Sequence, residues 1–213
     1  MKKKELNRIL NDGFKESLKN LGFKKSKLSF YKPIDNLWSI EFNYSIIDYG
    51  NIFPSTFSFS LSYSLFDIIY SKIFQITKKE LWIYSTSITS LYERGKYLFP
   101  EYEIMKQADA IKMINEVTEY MKNEAIPFLE SIANFESLDD YYNQNPTRPD
   151  FGIRGLIIAK MAENPNYEAL KQKYRQLFID KNWAVKEDIE NLETVINFLD
   201  KHTKEELDAI AKI

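Results

Sequence analysis

Cysteine is absent from the 213-residue chain, and histidine occurs once, as His202. Without thiols there is neither a disulfide scaffold nor thiolate chemistry. With one imidazole near the C-terminus, a histidine-built metal centre and a Ser-His-Asp triad are not expected. A helix-end histidine lying against the last carbonyls of its helix is the expected role for His202. Glycine is scarce at six residues, and its nearest pair is Gly152 and Gly155. That spacing builds neither a phosphate loop nor a dinucleotide-binding turn, so no cofactor is expected. No apolar run approaches the roughly 18 residues that span a bilayer. The N-terminus is basic, but Asn11, Asp12 and Gly13 interrupt any apolar segment of signal-peptide length. A cytoplasmic protein with no membrane association is expected.

What is present is a full supply of core material. Hydrophobic residues make up 44%, with 15 Phe, 14 Tyr and 3 Trp. That is enough for one sizeable core or two small ones. Lysine outnumbers arginine 24 to 5, and isoleucine counts 25. These residues have AT-rich codons, which points to a low-GC bacterial gene. The net charge of −2 hides a polarity. Residues 1–32 carry ten cations and three acids, and the rest of the chain is acidic. A segregated pattern of this kind suits a charge-steered partner surface.

Periodicity divides the chain near residue 105. Leu6, Ile9, Leu10, Phe14, Leu18 and Leu21 form one helical stripe over residues 3–21, with Gly22 placed for a left-handed cap. From residue 27 the period becomes two. Short strands are expected at 27–32, 38–46, 57–65 and 81–91, with a fifth at 97–104. The strand at 57–65 is the cleanest, with Phe57, Phe59, Leu61, Tyr63 and Leu65 alternating with Ser58, Ser60, Ser62 and Ser64. From residue 106 the pattern is helical. Pro127 is expected to kink or end the first helix. Ser137 and Asp140 resemble a capping box, Asn143 to Pro149 a loop, Asn164-Pro165 a helix start, and Thr203 with Glu206 a second capping box. The expected fold class is α+β: an N-terminal helix packed on a four- to five-stranded antiparallel meander, then a helical C-terminal half. Residues 1–105 would form the helix plus sheet, and 106–213 a helical region packed with it as one domain.

The lead-in motif carries a resemblance. Phe14 and Leu18 precede Leu21-Gly22-Phe23-Lys24-Lys25-Ser26, then Phe30-Tyr31 and the strand from Trp38 to Tyr44. This series resembles the bacterial family called domain of unknown function 4304, over about the first 65 residues. The resemblance implies an N-terminal helix, an antiparallel sheet and trailing helices, and it implies no activity.

The sites that residue types indicate are surfaces rather than catalytic centres. The row Ser58, Ser60 and Ser62 makes a neutral sheet face with no charge to repel a second protein, a homodimer partner included. Tyr141 and Tyr142, ahead of the proline-rich loop, are the preferred aromatic contact site. Lys24 and Lys25 belong to a basic cluster with Lys2, Lys3, Lys4, Arg8, Lys27 and Lys32. The function expected is a non-enzymatic, intracellular protein-binding module of the immunity or accessory kind. Two alternatives remain. One is a metal-assisted hydrolase drawing on Asp48, Glu101, Glu103, Asp139 or Asp140 and a tyrosine. The other is a nucleic-acid accessory protein using the basic N-terminal region, with Phe30 and Tyr31 stacking on bases. The low isoelectric point of about 5.7 counts against nucleic acid.

Overall fold

The structure is a computed structural model that describes residues 1–26, 29–74, 82–87, 102–147, 149–180 and 186–210. Lys27, Leu28, Leu81, Thr89, Tyr92, Tyr97 and Glu101 lie outside the described residues. The chain forms two compact units interleaved in sequence. One comprises Met1–Tyr63 with Trp82–Ser131, and the other Ser64–Leu81 with Ile132–Ile213. The division therefore falls elsewhere than at residue 105. The helix after residue 106 belongs with the sheet, and a segment between two strands belongs with the later helices.

The first unit opens with α1 (Lys3–Lys19). Leu6, Leu10, Phe14 and Leu18 recur every fourth residue and are fully buried. Past its end, Gly22 takes φ +86, and the Phe23 and Gly22 amides donate to the Leu18 and Lys19 carbonyls. This Schellman closure needs a residue without Cβ strain, and it turns the chain into the sheet.

Among the described residues six antiparallel strands follow: β1 (Lys24–Ser26), β2 (Ser29–Pro33), β3 (Trp38–Ile46), β4 (Phe53–Tyr63), β5 (Trp82–Ser87) and β6 (Tyr102–Ile104). Their order is β1-β2-β3-β4-β5, with β6 pairing Phe53 to Ser55 of β4. Even positions of β3 and odd positions of β4 share one face, because Phe42 pairs with Phe59 and Ile40 with Leu61. That face is apolar and buried, as alternation demands. The Phe14 ring is set into it, 5.0 Å from Phe42, 5.6 Å from Tyr44 and 6.1 Å from Phe57. Burial pushes the Tyr44 hydroxyl up to about 12, helped by the Asp12 carboxylate.

α3 (Gln107–Tyr120) lies beside α1. The Asp109 carboxylate accepts the Met105 and Lys106 amides at its start. The two helices approach closely where Gly13 faces Ile114, and Thr118 donates to the Ser17 hydroxyl at 3.1 Å. Pro127 does not end this helix. A π-turn over Met121–Ala125 precedes it, and the chain continues as α4 (Ile126–Ser131). A π-turn widens the coil ahead of a ring that removes a hydrogen bond, so helical direction survives. Lys32 of β2 closes an ion pair with Glu130 of α4.

The second unit begins with α2 (Ser64–Phe74), which the alternating serines concealed. The strand expected through residue 65 stops at Tyr63, because the period changes at Ser64. Ile69 and Ile73, four apart, are then buried on one helical face. The other helices among the described residues are α5 (Phe135–Asn143), α6 (Gly152–Met161), α7 (Tyr167–Asp180), α8 (Lys186–Leu199) and α9 (Lys204–Ile210). α5 starts earlier than its Ser137 motif indicates, since the Asn134 side chain accepts the Ser137 amide at 2.8 Å. The second capping box forms as read. The Glu206 carboxylate accepts the Thr203 amide at 2.8 Å, and the Glu206 amide donates to Thr203 Oγ1.

α6 is the centre of this unit. Leu156, Ile157, Ile158, Ala159 and Met161 are all buried, so most of its circumference is covered, with Arg154 and Lys160 half-buried. Tyr174 of α7, fully buried, donates to Asn143 Oδ1 at 2.9 Å. Asn143 in turn donates to Asp139 at 2.6 Å and to the Gly155 carbonyl at 2.9 Å. A Cβ at residue 155 would strike Tyr174 Oη and Asn143 Oδ1, so glycine is required by close approach.

Phe14 joins α1 to three strands. Phe14→Ala is expected to lower unfolding free energy in urea by about 3–5 kcal/mol. A loss below about 1 kcal/mol would show that the ring is not central.

Candidate functional site

The solvent side of α1 gathers most of the basic cluster. Lys4, Arg8, Lys15 and Lys19 are exposed and fall within about 60° of helical arc. Lys2 and Lys3 extend the positive surface at the N-terminus, and Lys24 continues it past the cap. None of these seven residues forms an ion pair among the described residues. Glu5, Asp12 and Glu16 are exposed on the adjoining arc. The helix is held from its other side by four buried side chains, so the cations stand on a fixed scaffold.

Lys24 and Lys25 also occupy β1, an edge of the sheet. Charged residues there oppose pairing with a further strand. Lys25 donates to Asn11 Oδ1 at 2.9 Å and lies 5.9 Å from the Phe30 ring centre. It is tied to the unit, whereas Lys24 is free to meet a partner. Phe30 itself is a core residue, packed against Phe14 and Phe42. Its ring is therefore not available to stack on a base.

The serine row does not form a uniformly wet face. Ser58 and Ser62 are half-buried, and Ser60 is 1% exposed. Ser60 Oγ and Asn43 Nδ2 are both buried without a hydrogen-bond partner. They lie diagonally across β3 and β4, where Asn43 pairs with Ser58 and Glu41 with Ser60. The tyrosine pair is likewise split. Tyr141 is 42% exposed, whereas Tyr142 is 4% exposed and packs edge-on against Tyr141 and Phe151. As a surface contact, Tyr141 alone offers its ring.

Among the described residues, the candidate acids within each unit do not converge. Asp48 accepts the Gly50 amide in a turn, Glu103 is exposed on β6, and Asp139 lies between Asn143 and Asn164. Among the described residues no three His, Cys, Asp or Glu side chains gather as a metal-binding group. His202 Nδ1 lies 2.8 Å from the Phe198 carbonyl, and its ring stacks on Phe198 at 4.3 Å, which matches its expected helix-end placement. No helix among the described residues is long and apolar enough to cross a membrane.

Two features of the second unit escaped sequence reasoning. The first is a pair of ion bridges on α7. Lys171, buried, reaches Glu168 at 2.7 Å and both oxygens of Asp200 at 2.9 Å. Burial works against its charge, but those carboxylates hold the ammonium above its ordinary pKa. Arg175 grips Glu193 of α8 with two bonds of 2.6 and 2.7 Å and keeps that carboxyl below its ordinary pKa. The second is a cleft of about 330 Å³ bordered by Lys160, Glu163, Asn164, Tyr167, Thr203 and Lys204. Its residues come from two turns that lie far apart in sequence. Both turns were legible, but nothing in the sequence brought them together.

The chain matches no protein-family model, no curated protein and no solved structure.

Two predictions arise from these positions. Ser60→Lys would bury an ammonium and is expected to lose more than about 3 kcal/mol of stability, while Ser62→Glu, half-exposed, is tolerated within about 1 kcal/mol. Chemical denaturation of both variants checks this, and equal tolerance would contradict the burial. Glu193 has a depressed pKa, so its stabilising effect is present above the ordinary carboxylate value of 4.5 and fades as pH falls below it. Glu193→Gln is expected to flatten the acid limb of the stability–pH curve relative to wild type.

Proposed function

We propose that this protein is a non-catalytic binding module that docks an acidic partner protein on the solvent side of α1. It would act by surface complementarity, as an immunity or accessory protein in a bacterial cytoplasm does. The observation that carries the reading is the stripe of Lys4, Arg8, Lys15 and Lys19. It is exposed, unpaired among the described residues and fixed to a helix whose opposite face is fully buried. Unpaired charges on a rigid element raise the encounter rate with a complementary surface and select its orientation. Lys24 at the sheet edge extends the same field.

A protein partner is favoured over nucleic acid by two details. Glu5, Asp12 and Glu16 run beside the cations and would repel a continuous phosphate backbone. A protein surface of mixed charge can match both stripes. Of the two aromatics that stacking would use, Phe30 is committed to the core and Tyr31 is half-buried.

The test compares two charge-reversal variants in nuclease-treated lysate of the native cell. Lys4→Glu/Arg8→Glu/Lys15→Glu/Lys19→Glu is expected to bind the captured partner at least about tenfold more weakly, mainly through association rate. Lys186→Glu/Lys201→Glu should bind as wild type does. The partner should have a low isoelectric point and should be released as salt rises toward about 0.5 M. Equal capture by both variants, or salt-sensitive binding of a single-stranded oligonucleotide in place of any protein, overturns the reading.

A further inference from the structure

The second unit carries an acidic face that complements the α1 stripe. Residues 132–147 hold Glu136, Asp139 and Asp140 and no lysine or arginine. Asp139 is used inside the unit, between Asn143 and Asn164. Glu136 and Asp140 are exposed and meet no cation among the described residues. Glu136 is not consumed in capping, because the Asn134 side chain already accepts the Ser137 amide at the start of α5. Leu138 and Tyr142 are buried on the other side of this helix, so the two carboxylates stand on a fixed element. Other acids of the unit are committed within it. Glu168 is held by Lys171, Glu190 by Lys186 and Glu193 by Arg175. Glu136 and Asp140 are four residues apart, and so are Lys4 and Arg8, and Lys15 and Lys19. On a helix that spacing sets each pair about 6 Å apart on one face. Two helices laid side by side can then match a pair of carboxylates to a pair of cations. Tyr141, 42% exposed, adjoins Asp140 and offers a ring to a lysine stem or to the Arg8 guanidinium.

We propose that α5 of a second copy of this chain docks on the α1 stripe, with Glu136 and Asp140 of one copy against the unpaired cations of the other. The inference rests on the docking reading above and names the chain itself as an acidic partner. Both charge sets are left over in a single copy, and the net charge of −2 gives little general repulsion between copies. Exposed ion pairs contribute little one at a time, so the association is weak and needs several at once. It covers the same cations that a different acidic protein would use. Self-association and capture of that protein then exclude each other, which gives the docking surface a concentration-dependent cover.

The test is sedimentation equilibrium of the full chain over a concentration series, at low ionic strength and at about 0.5 M sodium chloride. The weight-average mass is expected to rise with concentration at low salt and to stay at that of one chain at high salt. Glu136→Gln/Asp140→Asn removes both charges of the net −2, a change that by itself favours association. This variant is expected to stay monomeric instead. Lys4→Gln/Arg8→Gln/Lys15→Gln/Lys19→Gln should also stay monomeric. An equimolar mixture of the two variants should associate again, since one keeps the α1 cations and the other the α5 acids. A wild-type chain that is monomeric at low salt overturns the inference. So does association that high salt leaves unweakened, and so does an α5 variant that associates as wild type does. If the monomeric chain still captures a different acidic protein through α1, only this inference falls, whereas loss of both removes the docking reading as well. The wild-type series decides the matter even where a variant does not fold.

Discussion

The pairing register of β3 with β4 governs the first unit. Nine residue pairs run from Trp38 opposite Tyr63 to Ile46 opposite Ser55. In that register Phe42 meets Phe59 and Ile40 meets Leu61, and all four lie on one face. Slippage by one residue would bring serines under Phe14 and send the phenylalanines to the opposite face. The position of α1 follows from the register, because its phenylalanine is packed among rings of both strands. The position of the exposed lysines and arginine follows from α1. A surface that is entirely polar is thus placed by apolar packing on the other side of the same helix.

The second unit uses a different principle. Its central helix is buried over most of its circumference, and specificity comes from a short polar chain of side chains packed against it. Tyr174, Asn143, Asp139 and Asn164 form a continuous series of hydrogen bonds, with Gly155 admitting the side chains. A buried network of this kind fixes one arrangement, since each member would be costly if left unpaired. It also sets Asn164 in the cleft wall. Packing and the cleft are therefore parts of one construction. The ion bridges from Lys171 and Arg175 tie α7 to the far end of α8 and to its middle, and they support the tyrosine that lines the cleft.

Most helices and the central strands were legible because their burial is one-sided. Leu6 to Leu18, Trp38 to Ile46 and Phe57 to Tyr63 each repeat with the period of a half-buried element. The failures occurred where periods change or where burial is complete. Ser64 and Leu65 continue an alternation, yet they begin α2. Pro127 reads as a kink or an end, and a π-turn precedes it while the chain stays helical. Phe30 looked like a surface aromatic beside lysines, and Tyr142 like an exposed partner of Tyr141. Both are core residues, because neighbours in sequence point to opposite faces of a strand and lie about 100° apart around a helix.

The sequence by itself determined the α+β class, the wet and dry faces of the central elements, the caps at Gly22 and Thr203, and the polarity of charge. Each of these is a local property, written within about one turn or one strand of chain. Tertiary structure decided which segments share a unit, that Ser60 and Lys171 are buried, that the α1 cations stand unpaired, and that Lys160, Tyr167 and Thr203 border one cleft. These depend on contacts between residues tens of positions apart, and periodicity carries no information about which face meets which.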